Sequence, residues 1–151
     1  MAINPIQPKH GRQGVVNDRK KSTYSVLIID DEKEIQEIVS LGLAKMSDLD
    51  LFISSASDGV EGLKLSEDFE FDAIITDYFM PNMDGVEFIE KFRKLSHNKK
   101  KPIIFTSGYF SELDFKKNEG LFEDVIFLEK PYKISDVNSF LKIYLESTKL
   151  G

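Results

Sequence analysis

Apolar residues along this chain follow two rhythms, short unbroken runs and longer stretches in which they recur every three or four positions. The run from Tyr24 to Asp30, YSVLIID, is short and β-branched, as a strand buried on both faces should be. It predicts a first strand ending in Asp30-Asp31-Glu32. Ile35, Ile38, Val39, Leu41, Leu43 and Met46 then come at helical spacing, with Asp31 and Glu34 placed to cap the helix start. The unit repeats. Leu51 to Ala56 reads as a second strand, and Ser57-Asp58-Gly59 leads into a short helix carrying Val60, Leu63 and Leu65. Residues 71 to 77, FDAIITD, form a third strand that also stops at an aspartate. Pro81, Asn82 and Gly85 mark a loop before the helix of Val86, Phe88, Ile89, Phe92 and Leu95. Pro102 opens a fourth strand, Ile103 to Thr106, ending at Ser107-Gly108, with a helix between about Ser111 and Asn118. The fifth strand, Val125 to Leu128, stops at Glu129-Lys130-Pro131. The last helix runs from Ser135 to about Ser147, with Val137, Phe140, Leu141, Ile143, Tyr144 and Leu145 on its apolar face.

Five strand-helix units with short connections imply a doubly wound α/β fold, a parallel sheet with helices on both faces. Such sheets bind ligands beyond the carboxyl ends of their strands, which directs attention to Asp30, Asp31, Asp77, Ser107 and Lys130. Three carboxylates at one edge repel each other and call for a cation. Mg²⁺ suits them, because it takes a few carboxylate oxygens, keeps waters and accepts oxygen from a phosphoryl group. Lys130 adds a second positive charge, Ser107 a hydroxyl donor, and Gly108 room for close approach, so the site is suited to an extra anion. Phosphoryl transfer needs little more than positioning and charge neutralisation, and a carboxylate can itself be the nucleophile. Asp77 stands alone at its strand end, whereas the Asp30-Asp31 pair is better placed to hold an ion. Taken singly, Asp31 reads equally well as a helix cap, Asp84-Gly85 as a turn and Lys130 as a solvated charge; together, at successive strand ends, they point to one site.

Composition narrows the chemistry further. The chain has 151 residues, 41% hydrophobic and 30% charged, enough for a single domain with one substantial core, and no apolar run of bilayer-spanning length. Cysteine is absent, which removes thiolate nucleophiles and Cys-based zinc sites. The net charge of −6 is uneven: residues 1–22 carry Lys9, Arg12, Arg19, Lys20 and Lys21 against Asp18, which leaves −10 on the remainder. An acidic body argues against nucleic-acid binding by the domain. With Pro5, Pro8, Gly11 and Gly14 and no apolar period, residues 1–22 are expected to form a flexible basic extension. His10 and His97, in polar surroundings, read as surface residues.

From residue 24 to about 148 the chain resembles the receiver domains of two-component response regulators. The likeness rests on Asp30-Asp31, the stretch DYFMPNMDG from Asp77 to Gly85, Ser107-Gly108 and Lys130-Pro131. These fall in the family's order, with 30 residues from Asp77 to Ser107 and 23 from Ser107 to Lys130. The resemblance implies a flavodoxin-like sheet of strand order 2-1-3-4-5. It also implies that Asp77 accepts a phosphoryl group from a phosphohistidine on a sensor histidine kinase or a histidine phosphotransfer protein. Mg²⁺, with Mn²⁺ as a substitute, would be held by Asp30, Asp31, Asp77 and the backbone carbonyl of Phe79. Lys130 and Ser107 would hold the phosphoryl oxygens, Phe127 would follow Ser107 as the switch aromatic, and Pro131 would follow a cis peptide bond that aims Lys130. Phe79 and Tyr109, two residues after Asp77 and Ser107, occupy positions that govern how water reaches the acyl phosphate. Their bulk predicts slow self-hydrolysis, and Phe127 in place of the commoner tyrosine implies switching by packing.

The implied protein is cytoplasmic and assists its own phosphorylation and dephosphorylation without turning over a separate substrate. It would signal to a downstream protein, or to a second copy, through a face made by helix 4, strand 5 and helix 5, with Phe115, Phe122, Phe127 and Tyr132 nearby. Membrane and nucleic-acid binding by this domain are not expected. After Ser147 only four residues remain, so a stand-alone regulator or a fragment of a larger one is expected, with a receiver at 23–148 and a short tail at 149–151. Rival readings are weaker. A haloacid-dehalogenase-type phosphohydrolase needs a second Asp where Phe79 stands, and a nucleotide hydrolase needs a GxxxxGK loop that is missing. A receiver-like module that binds partners without phosphorylation remains as the alternative.

Overall fold

The computed structural model describes residues 23–45, 49–95, 100–110 and 112–147. The expected N-terminal extension and C-terminal tail, together with Met46, Ser111, His10 and His97, lie outside them. Strands and helices alternate as β1 (Thr23–Ile29), α1 (Lys33–Ala44), β2 (Asp50–Ala56), α2 (Gly59–Asp68), β3 (Ala73–Asp77), α3 (Gly85–Lys94), β4 (Ile103–Ser107), α4 (Glu112–Lys117), β5 (Val125–Glu129) and α5 (Ile134–Ser147). The strands pair in parallel in the order β2-β1-β3-β4-β5. Among the described residues no helix is long and apolar enough to cross a membrane.

Alternation along each strand builds the two layers. Val26 and Ile28 of β1, Ala73 and Ile75 of β3 and Ile104 of β4 join Val39 and Leu43 of α1 and Val137, Leu141 and Leu145 of α5. Leu27, Ile29, Ile74, Ile103 and Phe105 point the other way, toward Phe88, Ile89 and Phe92 of α3. Phe88, Phe92 and Phe105 are fully buried, each favouring the fold by about 2–3 kcal/mol through the apolar surface it removes from water.

Several expectations need correction. The N-cap of α1 is Glu32, without a side-chain cap bond, so neither Asp31 nor Glu34 caps it. Asp31 is instead grouped with the carboxylates of Asp30 and Asp77. Ile38, Leu41, Val60 and Ile143 keep helical spacing but are exposed, because each helix lays only a narrow stripe on the sheet. The residues expected near the α4-β5-α5 face divide between the layers, with Phe122 and Phe127 packed in the α3 layer and Tyr132 in the α1/α5 layer.

The loops at the carboxyl edge are held by capping. Asp58 accepts the Glu61 amide at 2.8 Å and Asp84 accepts that of Glu87 at 2.9 Å, starting α2 and α3. Asn82 adopts a left-handed φ of 67° and donates to Asp58 at 2.8 Å, tying the loop after β3 to the start of α2. Gly85 is required by space: a Cβ there would collide with the Asp77 carbonyl and the Phe105 ring.

Candidate functional site

The sheet order reverses at β1, so the crevice between the ends of β1 and β3 opens outward, and acids lie on both sides of it. Asp30, immediately after β1, is buried, and its Oδ1 accepts the Glu32 amide at 2.9 Å. Asp31 beside it is exposed. Asp77, the last residue of β3, is buried, with its Oδ1 accepting the Tyr78 amide at 2.9 Å. One carboxylate oxygen from each of Asp30, Asp31 and Asp77 lies within 4.8 Å of the others.

Lys130 enters from the end of β5. Its Nζ is 3.2 Å from Asp77 Oδ1 and 3.8 Å from Asp30 Oδ2, while its amide donates to the Ser107 carbonyl at 2.7 Å. The following Lys130-Pro131 peptide bond is cis. A single ammonium does not balance three carboxylates. Burial pushes the Asp30 carboxyl from the ordinary 3.8 up to about 6, and the charges of Asp77 and Asp31 add to the rise against the Glu32 amide and Lys130. Asp77 is raised as well, chiefly by burial, with Lys130 opposing. Oxygen donors, excess negative charge and an exposed member at the mouth fit a hard divalent cation such as Mg²⁺.

Ser107 ends β4 and is fully buried. Its hydroxyl donates to the Tyr109 carbonyl at 2.9 Å and accepts the Tyr109 amide at 3.2 Å, so it is engaged with the loop that leads to α4. Phe79 and Tyr109 are 66% and 70% exposed. Phe127 sits on β5 with its ring centroid 4.3 to 5.7 Å from those of Phe115, Phe122, Phe110 and Phe105. Buried carboxylates, a lysine and a hydroxyl at adjacent strand ends form a site that can stabilise added negative charge.

A sequence profile of the response regulator receiver domain matches residues 26–142. The chain belongs to that family. This receiver is 29% identical over 129 residues to the probable transcriptional regulator ycf29 of Porphyra purpurea, covering 83% of this chain and 59% of the relative. It spans 14% to 59% of the length of six curated relatives. A CheY-like receiver domain protein from Methanospirillum hungatei JF-1 superposes with a TM-score of 0.74 at 26% identity, over 86% of this chain and 100% of that one. The receiver domain of the sensor histidine kinase PA1611 from Pseudomonas aeruginosa PAO1 has a magnesium ion coordinated in its active site cleft. It superposes with a TM-score of 0.71 over 83% of this chain and 99% of that one; at 19% identity the likeness is one of fold.

Two polar contacts of this receiver escape a reading of strand ends. Gln36, on α1, donates to backbone carbonyls at the ends of β1 and β2. A polar residue beside Ile35 on the helix face that meets the sheet was the signal available for it. The Tyr78 hydroxyl feels Asp114 of α4: burial first, then the charges of Asp114 and Asp84, raises its pKa. No spacing rule links those two residues.

Proposed function

We propose that this receiver takes a phosphoryl group onto an Asp77 carboxylate oxygen from a phosphohistidine of a sensor histidine kinase or a histidine phosphotransfer protein. A P–O bond to Asp77 forms, the P–N bond breaks, and the imidazole leaves with the electron pair. The observation that supports this most directly is Lys130 Nζ at 3.2 Å from Asp77 Oδ1, inside a carboxylate group that one ammonium leaves under-compensated. Asp30, Asp31 and Asp77 would hold Mg²⁺, or Mn²⁺ in its stead, with the Phe79 carbonyl as a further oxygen. The bound ion would neutralise charge on the transferring oxygens.

Lys130 would hold one phosphoryl oxygen by charge. Ser107 would give up its bonds to Tyr109 for a bond to another, and Phe127 would move with it by packing among its aromatic neighbours. The changed α4-β5-α5 face would meet a downstream protein or a second copy, without nucleic-acid or membrane binding by the domain. Self-hydrolysis would end the signal, with no separate substrate turned over. The receiver unit is read as residues 23–148, acting in the cytoplasm, with 1–22 and 149–151 flanking it.

Intact-mass spectrometry after incubation with acetyl phosphate, with and without Mg²⁺, tests the proposal. One Mg²⁺-dependent phosphoryl adduct on the wild type, absent in Asp77→Asn, is expected. No adduct under conditions that label another receiver would overturn it in favour of a phosphorylation-independent binding module.

A further inference from the structure

The Gln36 side chain reaches out of the first turns of α1 into the acid loop. Its Nε2 lies 2.6 Å from the Asp30 carbonyl, 3.1 Å from the Ala56 carbonyl and 3.5 Å from Ser57 Oγ. An amide NH₂ has two hydrogens, and the two carbonyls are the acceptors that fix its orientation. The Ala56 carbonyl also accepts the Asp30 amide at 3.1 Å. One side chain therefore joins α1 to the ends of both β1 and β2.

We propose that Gln36 is a positioning residue for the cation-binding loop, holding the Asp30-Asp31 peptide so that Asp31 is presented to the ion. This rests on the reading of Asp30, Asp31 and Asp77 as a Mg²⁺ site. The carbonyl of Asp30 and the amide of Asp31 share one rigid peptide plane, so holding the first orients the second. Asp30 has its own restraint, because its carboxylate accepts the Glu32 amide. Asp31 is exposed and does not cap α1, so the direction of the backbone decides where its carboxylate points. The helix start supplies no substitute, since Glu32 makes no side-chain cap bond. The Gln36 amide meanwhile donates to the Glu32 carbonyl at 3.2 Å, so Gln36 grips the loop by its backbone and its side chain. Groups that orient metal ligands without touching the metal change affinity about 10- to 100-fold when removed.

Gln36→Met keeps the length of the side chain and removes both donors. Mg²⁺ affinity by calorimetry and amide hydrogen exchange in chelator are measured for the wild type and this variant. Val39→Ala, which thins the α1 core without touching the loop, is the comparison. The expected result is roughly tenfold weaker Mg²⁺ binding and faster exchange at Asp31 and Glu32 in Gln36→Met. Val39→Ala should melt earlier yet bind Mg²⁺ as the wild type does. Unchanged affinity and exchange in Gln36→Met, or an equal loss of affinity in Val39→Ala, would overturn the proposal. A wild type that binds no Mg²⁺ would overturn the cation reading itself, and the exchange rates would still report whether Gln36 holds the loop.

Discussion

The two halves of the sheet on either side of β3 are built differently. On the β1 side, β1 is buried from Val26 onward, and its end is tied by Gln36, by the Glu32 amide and by the pairing of Asp30 with Ala56. On the β4 side, β4 is buried throughout and the edge strand β5 is half-exposed much as the edge strand β2 is, but α4 spans only six residues. The rings of Phe105, Phe110, Phe115, Phe122 and Phe127 fill that half. At its base, Arg93 donates to the carbonyls of Lys101 at 2.6 Å and Glu123 at 3.2 Å. Directional bonds break when a strand end shifts, whereas ring contacts of about 0.5–1.5 kcal/mol each can be exchanged for others. Asp30 and Asp31 thus sit at the end of a stiff half, and the phenylalanine cluster fills a softer one.

The sharpest way to break this comparison uses two residues of the same type in one cluster. Phe105 is 0% exposed, at the centre of the rings, and Phe115 on α4 is 39% exposed. Phe105→Ala should cost about 3–5 kcal/mol through the cavity it leaves, and Phe115→Ala about 1 kcal/mol or less. Urea unfolding midpoints measure both. Equal losses would mean that α4 is as firmly built into the fold as β4.

A pH effect follows on the stiff half. The Asp30 carboxyl is raised to about 6, so the folded protein keeps a proton that the unfolded chain releases near the ordinary 3.8. The stability associated with that proton is present below about pH 4 and is lost as pH rises through 6. By that rise, ionised Asp30 costs on the order of 3 kcal/mol at neutral pH. In chelator at pH 7.5, Asp30→Asn should therefore melt above the wild type, with the gap closing toward pH 4. Mg²⁺ at about a hundred times its dissociation constant should return about 2.7 kcal/mol to the wild type. A lower melting temperature for Asp30→Asn in chelator would show that its pairing with Lys130 outweighs the cost of burying it beside Asp77 and Asp31.

Legibility in the sequence divides along similar lines. The VLII run was readable because every residue of a doubly covered strand is apolar, and its members do alternate between the two layers. Asp30, Asp31, Asp77, Ser107 and Lys130 were readable because strand ends recur in order along the chain. The start of α1 was not. Any acid just before a helix satisfies a capping pattern, and the strand-end order that places Asp31 with Asp30 and Asp77 does not say whether it also caps the helix. Which layer Tyr132 joins was not legible, because closeness in sequence to Phe127 says nothing of the side of the sheet on which the chain continues. Gln36 was marked only as a polar residue beside Ile35, and its partners were not legible, because its contact with Ala56 spans 20 residues and joins a helix side chain to a strand carbonyl.

The smallest effect concerns the rim, where one aromatic residue follows the dividing strand and one follows its neighbour: Phe79 after β3 and Tyr109 after β4. At 66% and 70% exposed they lie open to solvent, with the Phe79 ring centroid 4.5 Å from that of Tyr78. Hydrolysis of an acyl phosphate on Asp77 needs a water in line with the bond that breaks, and an apolar ring gives that water no hydrogen-bond partner. Asparagine offers a donor and an acceptor at the same place. Phe79→Asn is expected to shorten the life of the adduct about tenfold, equivalent to about 1.4 kcal/mol of barrier, as read from the decay of the phosphorylated mass once the phosphodonor is removed. Tyr109→Asn should act less, because in the proposed switch Tyr109 would leave with its loop once Ser107 gave up its bonds, whereas the loop bearing Phe79 is tied through Asn82 and Asp58. An unchanged decay in Phe79→Asn would count against water exclusion by that ring. A larger effect at Tyr109 would transfer control of the lifetime from the loop after β3 to the softer side that begins with β4.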